Sequence, residues 1–251
     1  MHRMLMIAAL LPVAALAADE NPDLSRVRAV NLDRAAKLPS FVADETAMRY
    51  KSRHTVPPRW ELFDKIEAEI VVQGSSFRRQ NVRRNGKPWK NPDFSDFNWG
   101  LQFGYELRPL FDPKCPTAIE FEGREEARGK QLLAYSYHAP PDGCFQHFMI
   151  ARGFFGRKNY NPLRAGRFLI DDPGGNLIYY EETASEFPKG FGADPWKQTA
   201  SWDYVEIGDS SHLLPVAAEI FGGFTFGDLW HVVVEYKNHR HFEASTNVTF
   251  H

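Results

Sequence analysis

Hydrophobic and polar positions change period several times along the chain, and each change marks an element. Leu24, Val27, Val30 and Leu38 recur at helical spacing behind Asp23, a suitable capping residue. Pro39 ends the pattern, which predicts an amphipathic helix closing near Lys37. From Phe41 the period becomes two, with Val42, Thr46, Met48 and Tyr50 alternating with more polar neighbours, and His54 to Pro58 breaks the strand so predicted. The clearest alternation runs from Trp60 to Gln73. It sets Ile66, Ala68, Ile70 and Val72 on one face and Lys65, Glu67 and Glu69 on the other, a half-buried strand with the apolar face toward the core. Gly74-Ser75-Ser76 turns the chain into a more charged strand, Phe77 to Arg84, and Asn85-Gly86 is a strong hairpin signal. Trp89 to Trp99 reads as a loop rich in aromatics, Asn and Asp. Leu101 to Phe111 reads as a short helix with Leu107, Leu110 and Phe111 on one side, ended by Asp112-Pro113.

Beyond Pro113 the pattern is almost wholly β. Strands are predicted over Ala118 to Glu125, Gln131 to His138, Phe145 to Ala151, Arg167 to Ile170, Leu177 to Glu181, Ser201 to Ile207, Leu213 to Phe221, His231 to Tyr236 and Ala244 to Phe250. Turn residues separate them at Ala127-Arg128-Gly129, Asp172-Pro173-Gly174-Gly175 and Gly208-Asp209. Many short strands without β-α-β alternation exclude a parallel α/β fold. They predict a mainly β protein with short helices (α+β), built on one strongly curved antiparallel sheet. Residues 18–251 are read as one domain, since no repeat, linker or low-complexity stretch divides them.

The first residues belong to a different class. A positive start at Arg3, an apolar run from Leu5 to Leu16 and the small residues Ala15-Leu16-Ala17 before Asp19-Glu20 are the three parts of a cleavable signal peptide, taken as residues 1–17. The run is shorter than the roughly 20 apolar residues that span a bilayer, Pro12 interrupts it, and no Cys follows for lipid attachment. The mature chain is therefore expected to be periplasmic or secreted, with no transmembrane span.

Charge adds little. The formal net charge of -2 becomes -3 once Arg3 leaves with the signal, too weak and too evenly spread for a nucleic-acid partner. Arg78-Arg79 and Arg83-Arg84 are read as solvated strand faces. An exported protein meets an oxidising compartment. Cys115 and Cys144, the two cysteines of the chain, lie at predicted strand ends and are expected to form a disulfide.

Candidate chemistry is sparse. His231, Glu235, His239 and His241 are the densest group of potential ligands, but on a strand His231 and Glu235 lie about 13 Å apart, so the group is read as an exposed polar stripe and no metal is assigned. In Glu125-Glu126 and Glu181-Glu182 adjacent side chains point to opposite faces, which argues against a shared acid/base site. Asn247-Val248-Thr249 matches a glycosylation acceptor formally. No phosphate loop, nucleophile elbow or zinc-protease signature is present, so no cofactor and no catalytic residue is assigned. Phe is abundant, 20 residues of 251. The aromatic stretch Phe94, Phe97, Trp99, Phe103, Tyr105 and the stretch Phe221 to Phe226 leave two readings open: core filling, or the apolar lining of a binding cavity.

Seven segments, in order, resemble exported bacterial proteins of the outer-membrane lipoprotein-sorting class. They are Leu38-Pro39-Ser40-Phe41-Val42-Ala43-Asp44-Glu45-Thr46, Asn85-Gly86-Lys87-Pro88, Leu110-Phe111-Asp112-Pro113, Gly166-Arg167-Phe168-Leu169-Ile170-Asp171, Tyr204-Val205-Glu206-Ile207, Leu213-Leu214-Pro215-Val216 and Tyr236-Lys237-Asn238-His239-Arg240-His241-Phe242. The resemblance implies an open half-barrel covered by helices, whose concave apolar face binds the acyl chains of a lipid or lipoprotein without catalysis. Phe97, Trp99, Phe103, Phe111 and Ile70 are the expected lining of that face. No binding residue of a carrier maps onto a position here. An envelope sensor that binds a protein partner is the alternative, and an unrecognised hydrolase the third.

Overall fold

The computed structural model describes residues 24–53, 57–74, 76–92, 99, 107–127, 129–141, 143–145, 148–153, 156–187, 196–223 and 228–242, with backbone alone for 148–153 and 156–159. Helix α1 spans Leu24–Ala36 and α2 spans Leu107–Phe111. The strands are β1 Phe41–Arg53, β2 Glu61–Gln73, β3 Ser76–Arg84, β4 Lys87–Pro88, β5 Ala118–Ala127, β6 Lys130–Ala139, β7 Phe148–Gly153, β8 Gly156–Tyr160, β9 Leu163–Asp171, β10 Leu177–Ser185, β11 Trp196–Ile207, β12 Ser210–Gly223 and β13 Asp228–His241. Strands β7 and β8 form a small separate sheet. Asp23, residues 101–106 of the second predicted helix, and the strand Ala244 to Phe250 lie outside the described residues.

The other eleven strands form one antiparallel sheet in the order β4-β3-β2-β1-β13-β12-β11-β10-β9-β6-β5. The first and last strands pair along their whole length, from Phe41 opposite His241 to Arg53 opposite Asp228. This sets the first and last of the described strands side by side in the middle of the sheet. The outermost strands, β4 and β5, do not pair with each other, so the sheet is an open half-barrel. Register shifts in β1, β2, β5, β10 and β11 insert extra residues on one strand of a pair, and bulges of this kind bend a strand and increase its twist.

One face, called inner here, carries the buried side chains and both helices. Its rows are Phe41, Ala43 and Ala47 of β1, Ile66, Ala68, Ile70 and Val72 of β2, Tyr135 and Tyr137 of β6, Phe168 and Ile170 of β9, and Val232, Val234 and Tyr236 of β13. Strand β2 thus sits in the register that its alternation predicted. In strand β1 the buried row is Phe41, Ala43, Glu45, Ala47, and the Val42, Thr46, Met48 row faces outward, Val42 being well covered. The apolar content of the two rows is similar, so alternation marks the strand without choosing its face.

Helix α1 is pinned by a buried amide. Asn31 Nδ2 donates to Val27 O (2.8 Å) and Gly175 O (2.9 Å), while Leu177 N donates to Asn31 Oδ1 (2.9 Å), so every polar atom is satisfied across the β9–β10 turn. Helix α2 sets Phe111 edge-on to Phe168 with centroids 5.4 Å apart, and Phe168 stacks on its cross-strand partner Tyr135. The Asn85-Gly86 hairpin has positive φ at both residues, 51° and 77°, the geometry that this dipeptide favours.

Candidate functional site

Among the described residues three buried carboxylates interrupt the apolar inner face, and each is met by arginine. Glu45, on the inward row of β1, receives a bidentate hydrogen bond from Arg79 of β3: Nε to Oε2 at 2.5 Å and Nη2 to Oε1 at 2.8 Å. Trp99 Nε1 donates to the same Oε1 at 2.9 Å, and its carbonyl accepts from Arg79 Nη2 at 3.3 Å. Burial alone would depress the Arg79 guanidinium, but the hydrogen bond and charge of Glu45 outweigh it and leave its pKa above the ordinary value. One residue of the aromatic loop is thereby fixed over β1 and β3.

Near the start of β2, Asp64 accepts from Arg49 Nε (2.6 Å) and Nη2 (2.5 Å) and from Arg84 Nε (2.7 Å). Burial pushes its carboxyl upward. The hydrogen bonds and charges of Arg49 and Arg84 more than offset this, and its pKa lies below the usual carboxylate value. Arg79 and Arg84, expected on solvated faces, instead turn inward to these acids.

The third carboxylate lies across the cup. Glu182 of β10 accepts from Arg164 Nη1 (2.8 Å) and Gln198 Nε2 (3.5 Å) at Oε1, and from the hydroxyls of Tyr137 (2.7 Å) and Tyr180 at Oε2. The two phenol oxygens lie 2.9 Å apart on the same carboxylate oxygen. Burial first, then the charge of Glu182, pushes the Tyr137 phenol well above its ordinary pKa, so it stays a donor. Gly166 makes room for this ring: a Cβ there would stand 2.0 Å from Glu181 O and 2.7 Å from Tyr137 Cε1. Glu181, the neighbour of Glu182, points outward to Lys197 at 2.9 Å, as strand geometry requires of adjacent residues.

The disulfide Cys115–Cys144 joins the turn after α2 to the segment before β7. It holds the adjacent Phe145 stacked on Tyr137 with centroids 6.3 Å apart, and Arg164 Cζ lies 4.9 Å from the Phe145 ring centroid. Cross-link, aromatic cover and buried acid therefore form one unit.

Of the expected lining residues, Ile70, Trp99 and Phe111 all lie buried on the inner side, in one hydrophobic cluster. Phe97 and Phe103 lie outside the described residues. The histidines of β13 do not converge. His231 approaches Glu219 Oε2 at 3.4 Å, whereas Nε2 of His239 lies 3.1 Å from Pro215 O with its ring against Phe41. The sequence reading missed the buried acids, although Glu182 at an alternate position between Tyr180 and Ala184 was the available signal. A polar groove of about 350 Å³ lies on the outer face, between Asp44, Glu67, Glu69, Arg83, Glu235 and Lys237.

No protein-family model matches this chain, and no curated protein does. Among solved structures it is similar to a LolA superfamily protein from Nitrosomonas europaea, at 6% identity over 88% of this chain and 94% of that one, with a TM-score of 0.38. It is similar to a DUF1329 family protein from Desulfovibrio piger, at 8% identity over 89% and 95% with a TM-score of 0.39. It is also similar to the lipoprotein LppX from Mycobacterium tuberculosis, at 10% identity over 86% and 94% with a TM-score of 0.30.

Proposed function

We propose that the chain is exported, cleaved after residue 17, and binds the acyl chains of a lipid or lipoprotein on the inner face of the half-barrel without catalysis. The observation that carries this reading is the open sheet itself. Its inner face is lined by apolar side chains from β1 to β13, with two short helices and Trp99 packed against it, and these can part from the sheet without breaking a strand ladder. A dry apolar surface of this kind takes apolar guests. The buried acids fit a binding role, because each already has its oxygens occupied by guanidinium, indole or phenol donors and so fixes the shape of the cup. Phe97 and Phe103 belong in this proposal to the loop that covers the guest, with Trp99, Phe111 and Ile70 as its floor.

A second reading, an envelope protein that binds a protein partner, is favoured by β5. Among the described residues this ten-residue edge strand pairs on one side only, and such an edge is a template for strand addition.

Mass spectrometry of an organic extract of the purified protein tests the first reading, together with titration by a fluorescent fatty acid. Lipid in the extract is expected, with probe affinity about micromolar, near 8 kcal/mol. Phe103→Glu is expected to weaken probe binding, and His241→Ala to leave it unchanged. An empty extract together with no binding of any acyl probe would reject the carrier reading.

A further inference from the structure

We propose that the rim of the half-barrel at the start of β2 docks on an anionic phospholipid surface, with Trp60, Leu62 and Phe63 entering the headgroup layer. Three large apolar side chains within four positions are exposed there, at 37%, 57% and 45%. Exposed large apolar groups scattered singly need no explanation, but a cluster at one strand end does.

The cluster is two-sided. Trp60 packs against Phe221 (5.8 Å) and His231 (5.6 Å), and the neighbours of those two residues, Ile220 and Val232, are the buried ones, so Trp60 lies on the outer side. Phe63 sits in the register shift of β2 against β1, between Leu62 opposite Tyr50 and Asp64 opposite Arg49. Its ring lies 5.6 Å from Arg49 Cζ and 5.4 Å from Arg84 Cζ, the two guanidiniums that hold Asp64 on the inner side. The rim is thus an apolar lip with both faces uncovered. A folded partner seated on the sheet covers one face of a strand, whereas a fluid medium covers both.

Charge selects the kind of surface. Around the lip, by sequence or by strand register, stand Arg49, Lys51, Arg53, Arg59, Arg84 and Lys87, against the acidic Glu61, Asp64, Asp228 and Glu219, the last 3.4 Å from His231. Asp64 is buried and held by two of the arginines, while Glu61 and Asp228 lie directly across from Lys51 and Arg53. Lys51 Nζ lies 3.6 Å from the Phe63 ring centroid, so apolar ring and ammonium present themselves together. Aromatic rings rimmed by Lys and Arg suit the boundary between acyl chains and anionic headgroups. The inference stands apart from acyl binding on the inner face, since a lip of this composition docks whether or not the cup holds a guest.

The test is co-sedimentation of the full mature chain with vesicles containing phosphatidylglycerol, and with phosphatidylcholine vesicles, at low and high salt. Binding to the anionic vesicles is expected, falling with salt, and weak binding to the neutral ones. Trp60→Ser/Leu62→Ser/Phe63→Ser should lower anionic-vesicle affinity by about tenfold or more while keeping the parent's melting temperature and fatty-acid binding. Lys51→Glu/Arg59→Glu should lower it with the lip intact. The proposal is overturned if the parent does not sediment with anionic vesicles or if the triple variant sediments as well as the parent. It is equally overturned if the parent proves dimeric and the triple variant monomeric, which would make the lip an interface between copies of this chain.

Discussion

At the scale of single residues the inner face is decided by how its charges are paired. A carboxylate among buried apolar side chains is costly unless hydrogen-bonded donors surround it, and breaking such a pair from one side leaves the other charge stranded. Asp64 allows a direct test. Its pKa is lowered in the folded state, despite the upward push of burial, by the hydrogen bonds and charges of Arg49 and Arg84. A carboxyl whose folded pKa is depressed contributes stability that is fully present above the unfolded value, about 3.9 for Asp, and is lost as pH falls through the folded value. Asp64→Asn is therefore expected to melt well below the parent at neutral pH and close to it once the pH is lowered through and below the ordinary carboxylate range. Thermal denaturation across that range checks this, and a gap that stays constant with pH would show that the pair adds nothing by its charge. Arg34 of α1 is a contrasting case: burial brings its pKa down to about 10 although Tyr204 and Asp171 act to raise it, and it donates to Leu177 O at 2.9 Å.

At the scale of elements, β2 tests the register. Ile70 is fully buried on the inner face. Its neighbour Glu69 faces outward and is bonded by Gln80, Asn81 and Arg240. Partly exposed ion pairs contribute about 0–1 kcal/mol, so Glu69→Lys should lower stability slightly in urea denaturation. Ile70→Asp places an unpaired charge in the core and should abolish soluble expression. Equal tolerance of the two changes would mean that β2 is inverted. Legibility varied in the same way from element to element. In β2 the alternation is clean, because the inner row from Ile66 to Val72 is wholly apolar and the outer row holds Lys65, Glu67 and Glu69. In β1 the inner row includes Glu45 and the outer row Val42 and Met48, so periodicity carried the strand but not its face. Strand β8 was not predicted, since Gly156 to Tyr160 has no apolar alternation to reveal it.

For the whole molecule, the pairing of β1 with β13 and the Cys115–Cys144 bond are the long-range constraints. The disulfide closes a loop with a sequence separation of 29. In the chain-entropy model a loop of that size contributes about 3.6 kcal/mol. The double variant Cys115→Ala/Cys144→Ala should lose about that amount in denaturant unfolding, and free-thiol titration of the denatured, unreduced parent should find no reactive thiol. Two thiols per chain would remove the cross-link from the account. Because Phe145 follows Cys144 and stacks on Tyr137, the variant should also raise the exposure of the Tyr137–Glu182 unit, readable as faster hydrogen exchange in β6 and β10.

What the sequence determined by itself was local: the positions of α1 and most strands, the hairpin turns, the cysteine pairing and the apolar face of β2. These follow from periodicity, turn chemistry and compartment, which act over a few residues or through composition. Tertiary structure alone decided the strand order, with the first strand beside the last, and the inward turn of Glu45, Arg79, Asp64, Arg84 and Glu182. It also decided that Trp60 and Phe63 emerge on opposite sides of one rim. The physical reason is that a charged side chain goes inside only when a partner meets it there, and those partners come from strands 15 to 34 residues away, a distance over which no pattern of period two or 3.6 carries information.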